Sequence, residues 1–256
     1  MTTNSHLQES PAAAPVAVRS ERVVIPLDDG SSMGGYLARP SVEGDLPGVV
    51  VAMELFGVDA GVRGVCDRLA ALGFVALAPD FHHRTSPDVE LPRDEAGRQR
   101  GFELLHRMSR PQLLVDARAA ADHLHRLGCE RLNMVGMSLG GHIACLAATQ
   151  IDFEVVVSFY GGWLATTDIP LSRPEPTLAL TPRITGRVLY LIGEEDHVVP
   201  PDQQREIETA LREADGGHQY VSYPGVGHGF LTADPETAAD AWARAERLLT
   251  EGRSAS

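Results

Sequence analysis

In the stretch NMVGMSLGGH, residues 133 to 142, Ser138 stands between Gly136 and Gly140 directly after an apolar run. A hydroxyl is a poor nucleophile until a base takes its proton. The base in turn needs an acid that fixes its tautomer and stabilises the imidazolium. Downstream, RVLYLIGEEDHVVP ends in Glu194, Glu195 and Asp196, and QYVSYPGVGHGF carries His228 between Gly227 and Gly229. Nucleophile, acid and histidine thus follow one another in the order used by parallel α/β enzymes that hold a serine on a strand-to-helix turn. Asp196 leads the three acids because HVVP after it turns into the next helix; Glu194 and Glu195 stay open as alternatives. Singly, each group has a plain reading, a hydroxyl in a glycine-rich connection or a loop histidine. The ordered set Ser138, Asp196 and His228 is far more specific.

Acyl transfer also needs two preorganised donors for the oxyanion. In such an architecture these are the backbone N–H after the nucleophile and one from the loop after the third strand. Leu139 is the first, and VVVAMELFGVDAG makes Leu55 the second. Glu54 ends an apolar run in that stretch, where a buried carboxylate is costly without a partner. The adjacent His82 and His83 suggest a metal, but neighbours in sequence seldom converge on one ion and no Cys or acidic residue stands at ligand spacing. They read as loop residues, and no metal or organic cofactor is expected.

The elements that must position these groups follow from the pattern. RVVIPL and SMGGYLA flank DDGS, an Asp-Gly hairpin signal. Then apolar runs alternate with helical periodicity to the C-terminus, including a charged helical stretch over about residues 93–128 broken before Pro111, and helices over about 201–214 and 235–251. Nearly continuous apolar strands separated by helices predict a mostly parallel, doubly wound α/β sheet covered on both faces. Residues 1–20 read as a flexible tail and 21–252 as a single domain. The long connection from Gly162 to Gly186, with four prolines, is either a cover for the site or a surface excursion.

Composition narrows the classes. A formal charge of −13 without a basic cluster argues against nucleic acid. No stretch reaches the roughly 20 apolar residues that cross a bilayer. Three cysteines, Cys66, Cys129 and Cys145, lack paired spacing and read as reduced thiols. With no basic start and an apolar segment broken by Pro15, a signal peptide is not expected, so a cytoplasmic monomer or homodimer is.

The same residues resemble the dienelactone hydrolase family over about residues 45–250. MELFGVDAGVRGVCDRLAALGFVALAPDFHHR is similar to that family's glutamate and oxyanion stretch with its following PDxxxR; GMSLGG resembles its elbow, IGEEDHVVP its acid turn and YPGVGHGF its histidine turn. The resemblance implies an α/β-hydrolase fold, with Glu54 as the site glutamate and Leu55 and Leu139 as oxyanion donors. It also implies Arg84 as a holder of the substrate carboxylate, and Tyr160 is taken as a further substrate contact. This chain departs from it in carrying Ser138 where the best-known members have cysteine, Thr232 where they have a second arginine, and Asp88 where an aromatic is expected. The implied activity is cleavage of a lactone or carboxylic ester through an acyl-enzyme; the acidic chain, Thr232 and Asp88 point to neutral rather than carboxylate-bearing substrates. Alternatives are an acyltransferase or cyclase using the same acyl-enzyme, and a ligand-binding hydrolase fold without catalysis.

Overall fold

The computed structural model describes residues 17–42 and 44–251. β1 (Val18–Pro26) and β2 (Ser32–Pro40) form an antiparallel hairpin. Its turn is closed by Asp29 Oδ1, which accepts from the Ser31 N–H at 2.9 Å, and by Gly30 at φ 82°. β1 takes in Val18, Arg19 and Ser20, which the sequence reading assigned to the tail; they are claimed by backbone pairing to Pro40, Arg39 and Ala38. The tail before residue 17 lies outside the described residues.

After the hairpin come β3 (Gly48–Ala52), α1 (Ala60–Ala71), β4 (Val75–Pro79), α2 (Glu95–Leu105), α3 (Arg110–Arg126), β5 (Leu132–Met137), α4 (Leu139–Ala148) and β6 (Val155–Phe159). The chain closes with β7 (Arg187–Gly193), α5 (Pro201–Glu213), β8 (Gln219–Tyr223), α6 (Phe230–Ala233) and α7 (Pro235–Thr250). One sheet runs in the order β1-β2-β4-β3-β5-β6-β7-β8. β2 meets β4 antiparallel, and from β4 to β8 every pairing is parallel. This is the α/β-hydrolase arrangement.

Every residue of β3, β4, β5 and β6 is buried, as strands covered on both faces must be. α1 and α7 share one face, tied by Arg68, whose Nε donates to Glu246 at 2.6 Å and whose guanidinium lies 4.7 Å over the Trp242 ring. α3 and α4 pack together on the other. The break between α2 and α3 falls where expected: Ser109 precedes α3, and Pro111 occupies its first turn, where no N–H acceptor is lost. Cys66, Cys129 and Cys145 are free and buried. No helix among the described residues is long and apolar enough to cross a membrane.

The connection from Gly162 to Gly186 is no loose excursion. It forms two 3₁₀ segments, Pro170–Ser172 and Thr177–Arg183, and buries Leu164, Ile169, Leu171 and Leu180. Two buried side chains pin it. His142 on α4 donates from Nδ1 to the Gly162 carbonyl at 2.8 Å and accepts at Nε2 from the Thr177 hydroxyl at 3.0 Å. Arg110 donates to the carbonyls of Leu171 at 2.6 Å and Glu175 at 2.7 Å. The segment is therefore a fixed layer of the fold, which is why so long a loop persists in a compact domain.

Burial holds His142 and His82 neutral, lowering each to about 4. Unfolded, both take a proton near pH 6.5. Between these values the unfolded chain binds more protons, so their contribution to stability is whole above about pH 6.5 and is lost as pH falls towards 4. Urea midpoints are expected to fall steadily from pH 7 to 4.5; a flat profile across that window would contradict the neutral burial of these histidines.

Candidate active site

Because β3 and β5 to β8 are parallel, the segments that follow them emerge at one edge of the sheet. Glu54 and Leu55 follow β3, Ser138 follows β5, Tyr160 follows β6, Asp196 follows β7 and His228 follows β8. Topology alone brings together positions up to 174 residues apart.

Ser138 sits at the turn from β5 into α4 with φ 54° and ψ −116°, outside the regions that residues with a side chain prefer. Steric contact explains both flanking glycines. A Cβ on Gly136 would lie 2.0 Å from the Gly140 carbonyl oxygen, and one on Gly140 would lie 2.1 Å from that of Ala52. The turn closes only with hydrogen at both places, and its closure presses the first turn of α4 against the end of β3.

The Ser138 Oγ lies 2.9 Å from His228 Nε2, and His228 Nδ1 lies 2.8 Å from Asp196 Oδ2. The buried Asp196 carboxylate accepts at Nδ1–H, which leaves Nε2 unprotonated and able to take the hydroxyl proton. Its other oxygen, Oδ1, accepts from the N–H groups of Val198 at 2.8 Å and Val199 at 3.2 Å, so the acid cannot rotate away. Glu194 instead accepts from the Ser222 hydroxyl at 3.1 Å, and Glu195 is exposed, its N–H donating to the Val226 carbonyl at 2.9 Å. That last bond couples the acid turn to the histidine turn. Of the three acids, Asp196 alone meets His228.

Leu139 is the first residue of α4, where an N–H has no intrahelical acceptor. Leu55 lies on the segment against which that helix start is pressed. The Leu55 carbonyl accepts from Nε2 of His82 at 3.2 Å. His82 lies in the connection after β4, a loop residue as the sequence suggests, but it is almost wholly buried, and its Nδ1 has no partner among the described residues. The apolar run VALAPDF ahead of it is the one local hint of burial.

Glu54 is 9% exposed and finds its partner in Arg93, whose Nη2 lies 2.5 Å from Glu54 Oε2 and 2.9 Å from Asp59 Oδ2. The Arg93 guanidinium also lies 4.8 Å over the Phe56 ring. Sequence reasoning missed Arg93, since nothing in LPRD distinguishes it from other surface arginines. Tyr160 has φ 43° and a buried ring edge-on to His228, centroids 5.0 Å apart. Burial, and after it the neighbouring Glu54 carboxylate, push its hydroxyl well above the usual range, so it stays a neutral donor. A cleft of about 250 Å³ is lined by Glu54, Arg68, Arg93, Met137, Tyr160 and Thr232, among others.

Arg84 does not take the place that the resemblance implies. It is not drawn into this cluster: Nε and Nη2 donate to both oxygens of the buried Asp116 on α3, at 3.1 and 2.6 Å, and Nη1 lies 3.7 Å from Asp29 Oδ2. Asp88, expected beside it, is exposed and faces Arg22 at 3.5 Å. His83 Nε2 also lies on Asp116, at 3.1 Å. Among the described residues no cluster of three or more His, Cys, Asp or Glu is disposed to hold a metal ion.

Known proteins resemble this chain over most of its length. The family model described as "Dienelactone hydrolase family" matches residues 33–251. A Synechocystis protein named "Putative carboxymethylenebutenolidase" is 32% identical over 245 residues, covering 91% of this chain and 97% of that one. A Bradyrhizobium protein named "Probable 2-oxo-3-(5-oxofuran-2-ylidene)propanoate lactonase" is 30% identical, covering 79% of this chain and 80% of that one. The crystal structure described as a "Putative Dienelactone Hydrolase" from Klebsiella pneumoniae superposes with a TM-score of 0.80 at 30% identity, covering 89% of this chain and 96% of that one.

Since Glu54 contacts Arg93 rather than Ser138 or His228, Glu54→Gln is expected to leave the rate of fluorophosphonate labelling at Ser138 within about threefold of wild type. Loss of labelling, followed by mass spectrometry of the intact protein, would instead put Glu54 in the activation of the nucleophile.

Proposed function

Because the chain belongs to the dienelactone hydrolase family, we propose that it cleaves a lactone or carboxylic ester through an acyl-enzyme on Ser138. One observation carries this reading, the unbroken chain Ser138 Oγ, His228 Nε2, His228 Nδ1 and Asp196 Oδ2 with links of 2.9 and 2.8 Å. A ligand-binding relic of the fold has no need of all three groups in register.

The steps follow from these contacts. The Ser138 Oγ attacks the ester carbonyl carbon while its proton passes to His228 Nε2, and Asp196 stabilises the imidazolium that forms. The oxyanion takes hydrogen bonds from the N–H groups of Leu55 and Leu139. Collapse expels the alkoxide, which takes the proton from Nε2. In a lactone this oxygen stays tethered to the acyl group, so the ring opens and nothing departs. Water then attacks the acyl-enzyme as Nε2 removes its proton, and release of the acid returns the proton to Ser138. Glu54 and Tyr160 border the bound substrate and shape its seat rather than move protons. The relatives' names put unsaturated lactones within this class, and the substrate of this chain is proposed only as lactone or ester.

Ser138→Ala and His228→Ala are each expected to lower kcat on an activated ester by about 10⁴-fold or more, and the double variant by little beyond either, because triad members act as a unit. Asp196→Asn should fold and turn over slowly. Near-normal turnover by Ser138→Ala, with product acid quantified by chromatography, would refute the acyl-enzyme.

A further inference from the structure

The charged groups around the cleft are all partnered, and the partners do not balance. Arg93 serves two carboxylates at once, Glu54 at 2.5 Å and Asp59 at 2.9 Å, while Arg68 is matched by Glu246 at 2.6 Å. Three acids therefore face two arginines. Asp59 is held in this role from both ends: Oδ1 caps α1 by accepting from the Val62 N–H at 3.0 Å, and Oδ2 accepts from Arg93 Nε at 2.9 Å. Neither Asp59 nor Glu54 has room to withdraw, being 8% and 9% exposed. Arg93 is the accessible member, its side chain 41% exposed. Thr232, which also lines the cleft, adds no charge.

Resting on the reading of Ser138 as the acyl acceptor, we infer that this site ranks esters by charge: acyl groups bearing an ammonium first, uncharged ones next and carboxylates last, with the Glu54–Arg93–Asp59 cluster setting the order. A carboxylate entering the cleft meets a guanidinium already neutralised twice over. To use it, the substrate must displace Glu54 or Asp59 and leave a nearly buried acid unpaired, which is strongly unfavourable. An ammonium group meets surplus negative charge at a few ångströms in a partly desolvated space, where one unit of charge shifts binding by a factor of about ten. Glu54 neighbours Tyr160, whose ring packs edge-on to His228, so the effect falls on kcat/KM for groups attached to the acyl carbon.

Three p-nitrophenyl esters of equal chain length test this, ending in trimethylammonium, carboxamide and carboxylate. Competent Ser138 is counted by fluorophosphonate titration. Working near 0.3 M salt, where screening acts over about 5 Å, removes steering by the −13 charge of the whole chain and leaves the local field. Wild type is expected to favour the ammonium over the carboxylate ester by about tenfold or more in kcat/KM. Asp59→Asn keeps the helix cap, since asparagine caps as well as aspartate, and removes one acid. It should raise the carboxylate-to-carboxamide ratio by about three- to tenfold, and Arg93→Gln should lower that ratio. A wild-type preference for the carboxylate ester, or a ratio that neither variant moves, overturns the inference while leaving the hydrolase reading intact. Failure to label Ser138 together with no turnover of any ester overturns both.

Discussion

Between the start of α4 and the ends of β3 and β5 there is no space for a side-chain atom. That contact, a would-be Cβ of Gly140 at 2.1 Å from the Ala52 oxygen and one of Gly136 at 2.0 Å from the Gly140 oxygen, governs what lies around it. It forces the chain to reverse within one residue, and that residue is Ser138, at φ 54°. A conformation of this kind costs on the order of 1–3 kcal/mol and survives only where packing over-determines it. Here α4 is buried along its whole length and anchored through His142 to the pinned loop beyond β6. The strain holds Oγ above the sheet edge. The same closure brings a free helix-start N–H beside the β3 loop.

The loop that carries Leu55 is secured by a different part of the chain, the connection between β4 and α2. Leu91 donates its N–H to the Phe56 carbonyl at 2.9 Å, Gly57 bridges to Glu90, His82 donates to the Leu55 carbonyl, and Arg93 spans Glu54 and Asp59. The N–H proposed here as an oxyanion donor is useful only if it is already in place when charge develops. Residues 80 to 94 act as a strap that fixes it.

What the sequence made legible and what it hid divide along this line. The elbow, the acid turn and the histidine turn are each written in a few adjacent residues, glycines where backbones touch and an acid before a helix, and the parallel order of strands assembles them. The hairpin, the break before Pro111 and the terminal helices were readable for the same local reason. The strap was not. Whether Arg93 or Arg84 reaches the cleft depends on how a 15-residue connection folds over another loop, and no periodicity encodes that. Among Glu194, Glu195 and Asp196 the sequence favoured the last, for the turn into a helix that follows it, and the contact with His228 falls on Asp196. The start of β1 at Val18 is not legible because an edge strand with six exposed positions carries little apolar pattern.

The two arginines show why a matching residue need not keep a matching role. Arg84 occupies the position that the family resemblance assigns to carboxylate binding, yet its fork is closed on Asp116, an acid whose side chain is 3% exposed. Pulling Arg84 away would leave that carboxylate buried with, among the described residues, His83 as its remaining partner, and breaking such a pair costs about 3–5 kcal/mol. A bidentate contact with a substrate carboxylate, made in wetter surroundings, returns less than that. Arg84 is thereby committed to joining the connection after β4 to α3. Charge at the cleft passes instead to Arg93, which is half in solvent and shared between two acids, so that changing either acid alters its electrostatics without dismantling the core. A structural ion pair and a tunable one have been separated onto two arginines nine residues apart.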